Sequence, residues 1–88
     1  MEYLLFTYPN CPKCDKVKAA LAANSVAYSE LSLTQQAGKA RVREFIRHLR
    51  RDDSGGVIIP TLIVHTQGVV RAVINTAEEL EAWLRSKA

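Results

Sequence analysis

Residues 3–14 read YLLFTYPNCPKC, and this stretch decides the fold. Its first half, residues 3–8, is a continuous apolar and aromatic run, which predicts a central β-strand buried on both faces of a sheet. Its second half ends in a C-x-x-C motif, Cys11-Pro12-Lys13-Cys14, which contains the only two cysteines of the chain. A strand that leads into such a motif is typical of a dithiol redox site.

The spacing of the cysteines suits a reversible disulfide. A helix rises about 1.5 Å per residue and places residues three apart on one face, within the Cα separation that a disulfide tolerates. Cys11 is expected at the N-cap of the following helix, with Pro12 at its first position. The free N–H groups of the first turn, with Lys13 and Lys16, then favour a Cys11 thiolate. Cys11 is therefore the predicted nucleophile, and Cys14 the predicted resolving thiol.

Two other interpretations of the motif are weaker. A zinc site would need further ligands, and the remaining candidates, His48 and His65, lack the paired spacing of a zinc motif. We therefore predict no metal site. A purely structural disulfide across so short a loop would contribute little loop-closure entropy.

Length and composition indicate one small domain over residues 1–88. The chain is 48% hydrophobic and 24% charged, as expected of a soluble globule with a single core. Its net charge is only +3, and no aromatic residues are interleaved with its arginines, so we expect no nucleic-acid partner. No apolar run approaches the roughly 18 residues of a membrane span, and no signal peptide is evident. We expect a cytoplasmic protein that does not bind membranes.

Periodicity places the elements that follow the motif. Residues 11–24 form a predicted amphipathic helix, and residues 26–33 a weaker strand at or near a sheet edge. Thr34 is expected to cap a second helix. The core-facing stripe of that helix follows the i, i+3, i+4, i+7 pattern at Val42, Phe45, Ile46 and Leu49.

The last third of the chain predicts a hairpin and a helix. Residues 61–66 and 69–74 are apolar, β-branched runs joined by Gln67 and Gly68. Thr76 and Glu79 form a capping box at the start of a third helix. The order strand, helix, strand, helix, strand, strand, helix predicts an α/β fold with a four-stranded mixed sheet and three helices.

With these elements in order, the chain resembles the glutaredoxins of the thioredoxin superfamily over essentially its whole length. The resemblance rests on the strand before Cys11-Pro12-Lys13-Cys14 and on Ile59-Pro60-Thr61 at the start of the hairpin. It implies a thioredoxin-like βαβαββα fold and thiol–disulfide oxidoreductase activity. It also implies a cis Ile59–Pro60 bond, which leaves the Ile59 backbone free to pair with an extended substrate.

The resemblance further implies substrate-binding residues, although the family pattern is altered here. A basic residue three before the first cysteine, an aromatic residue between the cysteines and a Gly-Gly-x-Asp stretch are replaced by Tyr8, Lys13 and residues 73–76. Lys13 is expected to attract one carboxylate of glutathione. Asn75, Thr76 and the free N–H groups of the last helix are expected to hold the other. An acidic partner for the glutathione amine is missing, and Tyr8 is expected to contact substrate or pack.

The partners also follow from the resemblance. It implies protein disulfides or glutathionylated proteins as substrates, and either glutathione or a thioredoxin-reductase-like enzyme as the electron source. We expect a monomer with no tightly bound cofactor. One alternative from another class remains, because glutaredoxin-like chains can dimerise around an iron–sulphur cluster with two glutathiones. Cys11 would then be a cluster ligand.

Overall fold

The computed structural model describes residues 1–87. Its elements in chain order are β1 (Glu2–Thr7), α1 (Pro12–Ala23), β2 (Ser29–Ser32), α2 (Gln36–Arg43), a 3-10 turn (Ile46–His48), β3 (Thr61–Thr66), β4 (Val69–Ile74) and α3 (Ala77–Ser86). The strands form one sheet in the order β2-β1-β3-β4, in which only β1 and β2 are parallel. The predicted α/β fold with a four-stranded mixed sheet and three helices is confirmed.

Side chains of β1 alternate between two hydrophobic clusters, one on each face of the sheet. Leu5 packs with residues of α1 and α3, including Leu21 and Leu80. Leu4 and Phe6 point to the opposite face and pack around Phe45, which follows α2. The prediction of a central strand buried on both faces is therefore confirmed, except at Tyr8, which lies beyond the end of β1 and is 49% exposed.

The β3–β4 hairpin has the predicted bounds and the predicted turn. Gln67 and Gly68 both have positive φ, at 49° and 81°, as a two-residue hairpin turn of the favoured hand requires. The turn is followed by β4 and then by Thr76, whose hydroxyl accepts the Glu79 N–H at 3.0 Å. The Glu79 carboxylate accepts the Asn75 N–H at 2.9 Å, one residue further back than in a standard capping box.

The second helix is shorter than predicted, and one residue of its predicted core stripe is exposed. Gln35, not Thr34, is the N-cap, and the Thr34 hydroxyl instead shares a hydrogen bond with Ser32. The α-helix ends at Arg43, and a 3-10 turn follows. Because the 3.6-residue period stops there, Phe45 is buried but Ile46 is 47% exposed.

The strand before this helix is also shorter than the predicted residues 26–33. β2 comprises only Ser29–Ser32, and it lies at the sheet edge as expected. None of the helices in residues 1–87 has the length and apolar character needed to cross a membrane.

Candidate functional site

Cys11 is the N-cap residue of α1, as predicted. Its backbone is extended, with φ −117° and ψ 99°, and Pro12 occupies the start of the helix. The Cys11 Sγ accepts the Cys14 N–H at 3.1 Å, so the sulphur lies at the positive end of the helix dipole. The turn that precedes Cys11 includes Asn10 with φ 55°, a left-handed conformation that asparagine tolerates well.

Cys14 lies one turn further along the helix and has a different environment. Cys11 and Cys14 are joined as a disulfide with a Cα–Cα distance of 5.2 Å. Cys14 is only 1% exposed and packs into the interior, whereas Cys11 is partly exposed. Solvent-borne reactants therefore have access to Cys11 and not to Cys14.

A second segment of the site is the loop that enters β3. The Ile59–Pro60 peptide bond is cis, which confirms the expectation drawn from the resemblance. Pro60 is fully buried. The Ile58 N–H donates to the Arg50 carbonyl at 3.0 Å, and the Thr61 hydroxyl donates to the Ile58 carbonyl at 2.6 Å. The loop backbone is thus held on both sides of Ile58.

The buried side chain of Asn75 braces this loop. Its Nδ2 donates to the carbonyls of Pro60 and Ile58, at 2.9 and 3.3 Å, and to the Thr61 hydroxyl at 3.2 Å. Its Oδ1 accepts from the Arg50 guanidinium at 3.2 Å. The side-chain amide is therefore engaged within the protein, and contact of Asn75 with glutathione stays a prediction.

An ion pair closes the same network at the surface. The Arg50 guanidinium also pairs with the Glu79 carboxylate, which in turn accepts the Asn75 N–H. Burial raises the pKa of Glu79, but the hydrogen bonds from Arg50 and from the Asn75 N–H together lower it by more, so the net shift is downward. The Glu79 carboxylate is therefore held in its charged form, which favours the pairing with Arg50.

A cavity of about 220 Å³ lies between the first turns of α1 and α3. It brings together four of the predicted binding residues, Lys13, Ile59, Asn75 and Thr76. Its remaining lining residues, Lys16, Ile58, Ala77 and Glu78, are not among the predicted substrate contacts. Tyr8 does not line this cavity; it is 49% exposed and lines a separate groove beside α2.

Glu78 is the most informative addition, because the glutaredoxin pattern places the acidic partner of the glutathione amine within residues 73–76, which contain no acidic residue. Glu78 lies just beyond them, in the first turn of α3, and lines the cavity. The capping box already predicts that residues 77–79 form this turn, so the signal was present in the sequence. The cavity therefore combines two cations, Lys13 and Lys16, with one carboxylate and a helix N-terminus.

The histidines do not join the cysteines. Within the part of the chain that the structure describes, no three His, Cys, Asp or Glu side chains are grouped closely enough to share a metal ion. His65 is buried in β3 and packs against Phe45, with ring centroids 5.4 Å apart.

Comparison with known proteins agrees with this geometry. The family model described as Glutaredoxin matches residues 4–69. No curated protein matches the chain by sequence. Among solved structures, the thioredoxin-like protein BC3987 is 31% identical, with a TM-score of 0.60 over 92% of this chain and 97% of that one.

Two more distant structures share the fold. The glutaredoxin-like NrdH-redoxin from Escherichia coli is 12% identical, with a TM-score of 0.64 over 93% of each chain. Glutaredoxin 1 from Francisella tularensis is 16% identical, with a TM-score of 0.59 over 97% of this chain and 93% of that one.

Proposed function

The chain belongs to the glutaredoxin family, and from this premise we propose that it reduces disulfides by thiol–disulfide exchange through Cys11 and Cys14. The position of Cys11 carries the proposal, because this residue is partly exposed at the N-terminus of α1 and its Sγ accepts the Cys14 N–H at 3.1 Å. In the reduced protein the same donor and the helix dipole stabilise a Cys11 thiolate.

The reaction proceeds in two exchanges. The Cys11 thiolate attacks one sulphur of the substrate disulfide, a mixed disulfide forms, and the other substrate sulphur leaves as a thiolate that takes up a proton. Cys14 then loses its proton and attacks the Cys11 sulphur, which releases the second substrate thiol and forms the Cys11–Cys14 disulfide. Two electrons pass from the protein dithiol to the substrate.

Glutathione is the reductant that the cavity beside the disulfide favours. The tripeptide carries two carboxylates and one ammonium, and the cavity offers Lys13, Lys16 and Glu78. The N-terminus of α3, with Thr76 as its cap, supplies further positive potential. Two glutathione thiols would reduce the Cys11–Cys14 disulfide and leave as glutathione disulfide. A thioredoxin-reductase-like enzyme would supply the same two electrons through its own dithiol.

Single-cysteine variants test the chemistry. Cys11→Ser should abolish every exchange activity, because no accessible thiolate remains. Cys14→Ser should still reduce glutathione mixed disulfides, since external glutathione resolves the intermediate, but should lose dithiol reduction of protein disulfides. An active Cys11→Ser protein alongside an inactive Cys14→Ser protein would reverse the assigned roles.

The electron source is tested by turnover with glutathione and its reductase against turnover with thioredoxin reductase. Glu78→Gln should raise the KM for glutathione several-fold, because the ligand ammonium loses its partner. Glu81→Gln is the matched control, since Glu81 is an exposed residue of the same helix outside the cavity. Equal effects of the two variants would exclude Glu78 as a ligand.

Iron content and mass after anaerobic purification test the cluster alternative, which requires an iron-containing dimer.

A further inference from the structure

A groove of about 470 Å³ runs along α2 on the Tyr8 side of the disulfide. We refer to it as the Tyr8–Ile46 groove. Its apolar lining consists of Tyr8, Leu33, Val42, Ile46, Leu49 and Val57.

Two of the lining side chains are unusually exposed for their type. Tyr8 is 49% exposed and Ile46 is 47% exposed, although Ile46 belongs to a stripe that the helical period assigns to the core. The break of α2 after Arg43 turns Ile46 outward. A large apolar side chain held at the surface beside an aromatic ring is typical of a contact surface for another polypeptide.

The groove has positive charge and no acidic lining residue. Lys39 and Arg43 lie on its α2 side and are exposed. Neither takes part in any ion pair formed by residues 1–87. Asp52, close to the groove residue Gly56, directs its Oδ1 to the N–H groups of Ser54 and Gly56. The groove is therefore complementary to an acidic ligand with an apolar side chain.

One chain segment lines both the groove and the cavity beside the first turn of α1. Gly56 and Val57 line the groove, and the next two residues, Ile58 and Ile59, line the cavity beside the first turn of α1. At the other end Tyr8 is separated from Cys11 by only two residues. A polypeptide whose disulfide reaches Cys11 can extend along this strip into the groove.

We propose that the Tyr8–Ile46 groove docks the polypeptide that carries the substrate disulfide, and that it selects a segment with an apolar side chain flanked by carboxylates. This proposal rests on the proposed disulfide reductase activity and adds the class of its protein substrate. The apolar side chain packs between Tyr8 and Ile46, and the carboxylates pair with Lys39 and Arg43.

Synthetic peptide disulfides of matched length test the selection. One peptide carries a leucine flanked by two glutamates near its disulfide, and the others replace the glutamates by lysines or the leucine by serine. The wild-type protein should reduce the first with a kcat/KM about tenfold above each of the others. The preference over the lysine peptide should shrink as ionic strength rises.

Variants locate the effect in the groove. Ile46→Asn, and separately the double change Lys39→Glu with Arg43→Glu, should lower kcat/KM for the acidic leucine peptide about tenfold. Both should leave reduction of hydroxyethyl disulfide unchanged. Val69→Asn and Arg71→Glu are the matched controls, because both residues are exposed on β4, and they should change neither rate.

Each outcome decides the question. Equal rates for the three peptides overturn the docking proposal, and so do equal losses of kcat/KM in the groove variants and the control variants. In either case, continued reduction of hydroxyethyl disulfide upholds the reductase activity. Loss of hydroxyethyl disulfide reduction in the wild type overturns both. A dimer that Ile46→Asn dissociates assigns the groove to a second copy of the chain and overturns the proposal as well. The charge variants keep the test decisive if Ile46→Asn does not fold.

Discussion

Replacing Asn75 by alanine should destabilise the protein by about 3 kcal/mol. The change removes two buried hydrogen bonds, to the Pro60 carbonyl at 2.9 Å and to the Thr61 hydroxyl at 3.2 Å. The buried Pro60 carbonyl, which loses this donor, costs roughly 1–3 kcal/mol, and the lost bond to the Thr61 hydroxyl adds about 1 kcal/mol, because that hydroxyl still donates to the Ile58 carbonyl. The bond from Arg50 adds at most about 1 kcal/mol, because the Arg50 side chain is 48% exposed.

The assay is equilibrium urea unfolding of the oxidised protein, followed by the fluorescence of Trp83, the only tryptophan. A loss of about 3 kcal/mol corresponds to a fall in Tm of roughly 12–24 °C for a domain of this size. Asn24→Ala is the matched control. Its Nδ2 also donates to a carbonyl, that of Ala20 at 2.8 Å, but Asn24 is exposed at the end of α1. We expect the control to lose about 1 kcal/mol or less.

Asn75→Asp separates the hydrogen bonds from the packing. Aspartate keeps the size of the side chain and the acceptor for Arg50 but lacks the Nδ2 donor, so it should be at least as destabilising as alanine. If Asn75→Ala loses no more stability than Asn24→Ala, or if Asn75→Asp unfolds like the wild type, the bracing role assigned to Asn75 is wrong.

Two further predictions concern α2 and the sheet edge. Gly38→Ala should lower the free energy of unfolding in urea by at least about 2 kcal/mol, despite the better helix propensity of alanine, because the added Cβ would lie 2.0 Å from the Ser32 carbonyl oxygen. Gly56→Ala is the control and should change stability little, because the nearest atom to its added Cβ belongs to a side chain and lies 3.4 Å away. The hydrogen bond from Lys18 holds the pKa of Glu30 below its ordinary 4.5. Its stabilisation, within about 1 kcal/mol for a pair this exposed, is present above pH 4.5 and is lost as pH falls through the folded-state pKa. Glu30→Gln should therefore reduce the fall of the urea unfolding midpoint between pH 6 and pH 3. A variant whose midpoint falls as steeply as that of the wild type would contradict this.

Local signals explain why some features were predictable at the level of single residues. The bounds of the hairpin follow from two apolar runs on either side of Gln67 and Gly68, whose positive φ the turn requires. The N-cap position of Cys11 follows from Pro12, which starts a helix because its missing N–H has no partner there. Each of these signals lies within a few residues of the feature that it determines.

Features that depend on contacts between distant segments were not predictable in this way. Ile46 fits the helical period, but the period stops where Phe45 turns inward to pack against β1. The resemblance alone predicts that Asn75 contacts a ligand, whereas the hydrogen bonds of its side chain reach back 15 residues to Pro60 and 25 residues to Arg50. The partner of a polar side chain across such a separation depends on the packed fold, which periodicity and spacing do not describe.

The segment of residues 56–59 links the stability of the loop to recognition of substrate. Its first two residues line the groove and its last two line the cavity, so both proposed contact surfaces share one stretch of backbone. That backbone is held by the Ile58 N–H bond to the Arg50 carbonyl and by the bonds that the Ile58 carbonyl accepts from Thr61 and Asn75. Because Arg50 also pairs with Glu79, the brace connects this segment to the helix whose first turn lines the cavity. A change that loosens the brace should therefore weaken peptide docking and glutathione binding together, while a change at Ile46 or at Glu78 should affect only one of them.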